Sequence, residues 1–251
     1  MDGRRPLGTK TYGRIPHLPG SRLGPGERHV SWAQARRATV SPGPGDSVWV
    51  QEKLDGTNVA VARVGDELIA LTRAGYLAGD SRRVQARLFD AWVQHHAERF
   101  LDVLNPGERA VGEWLLYAHG TRYDLPHEPF VVFDVLVGNR RLPLPELTRR
   151  LAGAFVLPAL HAMNAADPAE LYRSLPPHGH HGALTPPEGL VYRVERGGEV
   201  EVVAKWVHPG YVTGAYFEQD EAVLPNGLRL EDENFLRQLE RGLEQQARRP
   251  G

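Results

Sequence analysis

The densest chemical signal in the chain is Glu52-Lys53-Leu54-Asp55-Gly56-Thr57-Asn58, a lysine followed by an acid, a glycine and two small polar residues. It interrupts two stretches of β-forming residues, and nothing in sheet packing asks for that combination. A lysine amine, with a free pKa of about 10.4, is a weak nucleophile at neutral pH. Neighbouring cations or partial burial lower that value and free the lone pair. Gly56 would let the backbone approach a phosphate closely. The bland account is a hairpin end carrying a salt-bridged lysine, and Lys-x-Asp-Gly alone arises often by chance.

Four further segments carry polar chemistry inside apolar strands. Gly112-Glu113-Trp114-Leu115 sets a carboxylate in an apolar run. Phe130 to Val135 ends its apolar run on Phe133-Asp134. Glu188-Gly189-Leu190-Val191-Tyr192-Arg193 opens a strand with an acid and a glycine. Val202 to Val207 carries Lys205 where an unpaired charge is costly. An edge position for Glu113, a core ring for Phe133, a turn for Glu188 and a snorkelling stem for Lys205 explain each one singly. Five such coincidences in one chain are hard to accept.

The elements that must hold these residues are mostly strands. Alternation and β-formers predict strands at Val48–Val50, Val59–Val64 and Glu67–Thr72, the last two joined by a Gly65-Asp66 turn. Further strands are expected near Ala110–Tyr117, Phe130–Val137, Gly189–Val194 and Val200–Val207. Val84, Leu88, Trp92, Phe100 and Leu104 predict one helix capped by Asp80 or Ser81. Helices are also expected at Leu144–Leu151 and at Pro168–Leu175, the latter behind an Asp167 cap. A polar helix should run from Asp232 to Arg248 with Phe235, Leu239 and Leu243 on one face. Strands arriving in hairpins indicate an α+β domain built on antiparallel sheet. The Gly-, Pro- and Arg-rich residues 1–45 read as an extended strap and not a packed element. The division expected is strap 1–45, main domain 46–222 and helical tail 223–251.

Composition is permissive. The chain has 251 residues, net charge −1 and no cysteine, which excludes disulfides and cysteine-based metal or redox chemistry. No apolar run reaches the roughly 18 residues of a membrane span, and no secretory signal is visible, so a cytoplasmic protein with no membrane partner is expected. Charge balance gives no global signature of nucleic-acid binding, though local charge decides that. Arg82-Arg83 and Arg140-Arg141 read as solvated surface. His178-Gly179-His180-His181-Gly182 reads as a mobile loop without a complete metal-ligand set.

The ordered series Lys-x-Asp-Gly, Gly-Glu, Phe-Asp, Glu-Gly-x-Val-x-Arg and strand-borne Lys resembles motifs I, III, IIIa, IV and V of the covalent nucleotidyltransferases, spanning Val48 to Val207. Those enzymes are the polynucleotide ligases and the mRNA capping enzymes. Glu-Lys-x-x-Gly-Thr-Asn is most similar to the nick-sealing phage and RNA-editing RNA ligases, which also carry an arginine shortly after the lysine. Arg73 stands 20 residues on (73 − 53).

The resemblance implies an ATP-grasp-like ligase domain with flanking helices, and an ATP-dependent RNA ligase using Mg²⁺ or Mn²⁺. Lys53 would take AMP from ATP, pass it to a 5′-phosphate, and a 3′-hydroxyl would displace it. Glu52 would lie against adenine through its backbone, and Glu113 would bind the ribose. Phe133 would stack on the base, and Arg73 and Asn58 would contact phosphates. Asp55 and Glu188 would hold the metal through water, and Lys205 would neutralise the α-phosphate. The family often carries a second motif V lysine, where this chain has Val203 and Val207. About 44 residues (251 − 207) follow Val207, too few for a C-terminal oligonucleotide-binding barrel. Substrate grip would then come from strap residues such as His17 and Arg22, or from a partner protein. A DNA ligase, a capping guanylyltransferase and a catalytically silent end-binding module are the alternatives.

Overall fold

Alternation along the strands divides this chain into two sheets that face each other. The computed structural model describes residues 5–218, 221–222 and 224–247. In chain order the elements are α1 (Trp32–Thr39), β1 (Asp46–Lys53), β2 (Thr57–Val64), β3 (Glu67–Thr72), α2 (Val84–His95), α3 (Ala97–Val103), β4 (Glu108–Trp114) and β5 (Phe130–Val137). There follow β6 (Arg140–Arg141), α4 (Leu144–Leu151), β7 (Leu160–Ala162), α5 (Pro168–Ser174), β8 (Gly189–Arg196), β9 (Glu199–Val207), the short pair β10 (Phe217–Glu218) and β11 (Glu221–Ala222), and α6 (Leu230–Ala247). One sheet has the order β7-β1-β8-β9 and the other β3-β2-β4-β5-β6, with antiparallel neighbours throughout.

Each sheet buries its outer face under helices. Val59, Val61, Trp114, Phe130 and Val132 pack beneath Phe89, Trp92 and Phe100 of α2 and α3, and Phe235, Leu236 and Leu239 of α6 join this cluster. Val48, Val50, Leu190, Tyr192 and Val194 pack against Ala35 and Ala38 of α1, with Leu171 and Tyr172 of α5 at the margin. The inner faces are left to meet across a cleft. Period-2 alternation makes this automatic, because Trp49, Gln51 and Lys53 must then point away from Val48 and Val50.

The positions of the longer strands and the antiparallel α+β class follow the sequence pattern closely. Residues 1–45 do not: Ser31 caps α1 through a complete capping box with Gln34. The extended part is also packed, since Lys205 N donates to Pro16 O and Leu18 N donates to Lys205 O along the edge of β9. The single helix expected over 81–104 is two. His96 leaves helical geometry (φ −103°, ψ 23°), its N–H donates to Trp92 O and Val93 O, and Arg83, with no side-chain cap bond, starts α2. Asp167 caps α5 as expected, accepting from Glu170 N at 2.9 Å. The short strands β6 and β7 carry no alternation long enough to read. In the tail, Arg248 and the Leu243 side chain lie outside the described residues. Among those described, β9 is followed by the short hairpin and α6 rather than a barrel, and no helix is long and apolar enough to cross a membrane.

Trp92 is the hub of the larger core, 1% exposed with Trp114, Phe130 and Phe100 rings at 5.6, 5.7 and 6.0 Å. Trp92→Ala should cost about 3–5 kcal/mol in chemical denaturation. Trp32→Ala, at a position 82% exposed, should stay within about 0.5 kcal/mol of wild type.

Candidate active site

The chain passes from one sheet to the other through only Leu54, Asp55 and Gly56. Lys53 ends β1 paired with Gly189, which brings Glu188 alongside it. Asn58, just inside β2, pairs with Glu113 of β4. The crossing therefore delivers the lysine, Glu188 and Glu113 to one place from two sheets. Gly56 serves this crossing: a Cβ there would lie 2.7 Å from Trp114 O and 2.8 Å from Leu115 Cδ2. Its missing side chain leaves room for the Trp114 main chain and the Leu115 side chain.

Lys53 Nζ donates to Glu188 Oε2 at 2.5 Å and to Leu54 O at 3.2 Å. Burial disfavours the ammonium, but Glu188, Glu113 and Asp55 together outweigh it, so the pKa of Lys53 is raised. The expectation of a lowered value fails here because the neighbours are carboxylates, not cations. Glu188 is pushed up to about 7 by burial and by Asp55, against the pull of Lys53. Glu113 is also pushed to about 7, by burial first, then by Asp55 and Glu188 against Lys53. Gly56 N donates to its Oε1 at 3.1 Å.

A cleft between the sheets collects most of the expected residues: Glu52 and Lys53 of β1, Asn58, Arg73, Glu113, Phe133 and Lys205. Glu52 contributes its backbone edge, since its carboxylate points to the other side of β1. Asn58 Oδ1 is buried without a hydrogen-bond partner. Asp55 turns away from this cleft. Its Oδ2 accepts from Gly120 N at 2.5 Å, Thr121 N at 3.0 Å and the Tyr211 hydroxyl. Lys205 Nζ donates to Glu27 Oε1 at 2.5 Å, and His17 Nε2 lies 3.0 Å from Glu27 Oε2. Burial raises the Glu27 pKa, but bonds from Lys205, Gly24 N and His17 outweigh it and hold the carboxyl at about 2. His17 thus acts through Glu27, and Arg22 serves as a main-chain anchor, its N–H donating to Val207 O.

Sequence reading missed the floor of the cleft. The pairing of β4 with β5 shifts between Val111 and Gly112, from Asp134 to Val132, so Phe133 is an extra residue. Such a bulge re-aims side chains, and both Phe133 and Asp134 line the cleft. Asp134 accepts from Tyr12 Oη at 2.7 Å, Arg141 Nε at 3.1 Å and Arg193. Arg193 also donates to Phe133 O and Leu142 O, each at 3.1 Å. Arg141, expected as solvated surface, points inward to this network. Asp134 and Arg193 were in view as the last residues of their motifs, but no spacing rule pairs positions 59 residues apart. Tyr12 and Glu27 had no local signal at all.

Two facing sheets with a lysine at the strand end that opens into their cleft define a ligase-type nucleotidyltransferase domain. An RNA ligase family model matches residues 46–207, 162 of 251 positions (207 − 46 + 1), and the chain belongs to that family. Among solved structures, an archaeal ATP-dependent RNA ligase matches at 23% identity over 78% of this chain and 48% of that one, with TM-score 0.50. Naegleria gruberi RNA ligase with PPi matches at 16% identity over 79% and 60%, TM-score 0.49. A K326A mutant of that ligase with ATP and Mn matches at 13% identity over 76% and 58%, TM-score 0.48. The chain spans about half the length of the solved ligases it matches. A search of curated protein sequences finds no match.

The raised pKa of Glu113 has a consequence for stability. The folded chain keeps this proton up to about pH 7, whereas an unfolded glutamate loses it near pH 4.3. Between those values the folded state binds more protons, so this group's contribution to stability falls as pH rises. Glu113→Gln keeps the acceptor for Gly56 and removes the titration. Its melting temperature relative to wild type should increase from pH 5 to about pH 7 and level off above that; a pH-independent difference would refute the assignment.

Proposed function

We propose that this chain is an ATP-dependent polynucleotide ligase acting on RNA, with its nucleotide site in the cleft between the two sheets and Lys53 as the group that carries AMP. The observation that carries this reading is the convergence on one cleft of a partly buried lysine, two further cations (Arg73 and Lys205), the Phe133 ring and Glu113. In this division residues 46–222 form the catalytic body, 1–45 the strap over β9, and 223–251 the tail.

Lys53 Nζ attacks the α-phosphorus of ATP. A P–N bond forms, the bond to the bridging oxygen breaks, and pyrophosphate leaves. The ammonium must first lose a proton, and Glu188 Oε2 is the nearest acceptor at 2.5 Å. Phe133, held edge-on by Tyr12 at 5.2 Å, stacks on adenine, with the Asp134–Arg193 pair behind it as the polar floor. Glu113 meets the ribose, Asn58 and Arg73 meet phosphate oxygens, and Lys205 exchanges Glu27 for the α-phosphate. Cation placement of this kind supplies most of the catalysis in phosphoryl transfer. The AMP then passes to a 5′-phosphate, and a 3′-hydroxyl displaces it to seal the strand.

The site's own charges fit a divalent cation. Three carboxylates, Glu113, Glu188 and Asp55, surround one ammonium, an excess of two negative charges when all are ionised (3 − 1). Glu188 would hold Mg²⁺ or Mn²⁺, and Asp55, turned toward Gly120, Thr121 and Tyr211, would act on the ion by its charge. All-oxygen ligation that retains waters suits Mg²⁺. Bound there, such an ion supplies charge that offsets the phosphates and disfavours the ammonium form of Lys53.

Incubation with Mg²⁺ and α-labelled ATP, followed by a denaturing gel, tests the reading. Wild type should retain label from ATP, and Lys53→Ala should retain none. No label from ATP, GTP or NAD would sink the proposal and favour a silent end-binding module; label from GTP alone would indicate capping chemistry. Nicked duplexes with RNA or DNA on either side of the break then separate RNA from DNA ligase, with RNA ends expected to be joined faster.

A further inference from the structure

The face of β1 opposite Lys53 carries a second cluster of chemical groups. Val48, Val50 and Glu52 alternate onto it, so the Glu52 carboxylate enters the apolar layer with Leu190 and is only 2% exposed. From β7, His161 brings Nε2 to 3.4 Å from Glu52 Oε2, with its side chain 4% exposed. From the 178–182 loop, His180 brings Nδ1 to 3.7 Å from the same oxygen. The three donor atoms lie within 4.8 Å of one another.

The loop is built onto this spot. His180 N donates to Glu52 Oε2 at 2.9 Å. Gly179 has φ +56°, and a Cβ there would fall 2.4 Å from Glu52 Oε1, so a side chain would close the space beside the carboxylate. His181 fixes the loop from behind. Ala159 N donates to His181 Nε2 at 3.0 Å, which leaves the proton on Nδ1, 2.8 Å from His127 Nε2. His127 Nδ1 in turn donates to Glu128 O at 2.7 Å. That relay spends His181 on structure and leaves His180 free to face Glu52.

Two donor atoms in the cluster are buried with no hydrogen-bond partner: Glu52 Oε1 and His161 Nε2. Buried polar atoms are rarely left so, and each instance asks for a cause such as an ion. Two imidazoles and a carboxylate are a zinc-type donor set, completed by water in a fourth position. Bonds of about 2.0–2.2 Å put tetrahedral ligand atoms roughly 3.4 Å apart. Closing the cluster therefore takes a shift on the order of 1 Å, available to His180, whose side chain is 51% exposed. Nitrogen ligands also separate this cluster from the oxygen-only surroundings of Lys53, which select Mg²⁺.

We propose that Glu52, His161 and His180 form a transition-metal site of the zinc class that ties the 178–182 loop to β1 one residue before Lys53. The ion is held by three protein ligands and a water, and its role is to fix the strand end and the loop.

Tag-free protein, stripped with a chelator and kept in excess Mg²⁺, is titrated with Co²⁺ as a spectroscopic probe and then with Zn²⁺ in competition. Wild type should develop visible d–d absorption saturating at one Co²⁺ per chain, lose it to Zn²⁺, and melt at a higher temperature with Zn²⁺. His180→Ala, at an exposed position that folding does not need, and His161→Gln should each weaken Zn²⁺ binding by roughly tenfold or more. No saturable site in wild type, binding unchanged in both variants, or a larger loss in His178→Ala would each overturn the assignment. If His161→Gln fails to fold, His180→Ala against His178→Ala decides the question.

Discussion

The crossing from β1 to β2 is the constraint on which the rest depends. A three-residue link must carry the chain from one sheet to another while the last residue of one strand and the second residue of the next stay in register with different partners. Gly56 permits it by lying against Trp114 O, and Leu54 anchors it in a small cluster with Leu115, Tyr123 and Val131. Asp55 pins the outside by gathering Gly120, Thr121 and Tyr211, while Tyr123 Oη donates nothing to it but accepts from its N–H at 3.0 Å. With the crossing fixed from three sides, Lys53 has Glu188 beside it through one sheet and Glu113 above it through the other. Neither sheet alone would assemble that group.

The cleft is electrically uneven as a result. Around Lys53 three carboxylates share one ammonium, and two of them respond with pKa values near 7. On the floor the balance reverses, with Arg141 and Arg193 both directed at Asp134. Arg193 is buried and Arg141 partly so; Leu142 O and Phe133 O accept from Arg193, and Glu195 Oε1 lies 4.0 Å from its Nη1, which offsets the cost of burying its charge. Under the proposed reading, a divalent cation offsets both the carboxylates and the phosphates at the lysine end, while the base meets a ring and fixed donors and acceptors at the floor.

How much of this was readable in the sequence follows from how local each signal is. Lys53, Glu113, Phe133, Glu188 and Lys205 stood out because each is a polar or aromatic residue misplaced in an apolar strand, a contrast visible within six residues. The antiparallel α+β class followed from the same strands, whereas their division into two sheets did not, because it depends on which distant strands pair. The bulge at Phe133 could not be read, because it exists only in the pairing with β4. Helix α1 was hidden by the glycines and prolines around it, though its Ser31–Gln34 capping box was there to find. The sign of the Lys53 pKa went wrong for a related reason. Sequence names the neighbours within a few residues, whereas Glu113 and Glu188 arrive from 60 and 135 positions away (113 − 53 and 188 − 53). Arg141 shows the same limit, since two adjacent arginines look alike until β6 turns one inward and leaves Arg140 to an exposed pairing with Glu199.

A single strand can serve two faces only when its register cannot slip. A one-residue shift in β1 would turn Val48, Val50 and Glu52 into the cleft and bury the Lys53 ammonium on the covered face with Trp49 and Gln51. The pairing with β8 resists this along its whole length, from Asp46↔Arg196 to Lys53↔Gly189. Both ends are locked chemically as well. Arg37 and Arg196 grip Asp46 at 2.8 Å, and Gly189 lets β9 come so near that any Cβ there would overlap Trp206 O. The Glu52 carboxylate adds a third lock at the point of crossing, because the 178–182 loop closes on it. Holding residue 52 from behind holds the backbone of residue 53 in front, so under the proposals above a site on the covered face of the strand acts on the placement of Lys53.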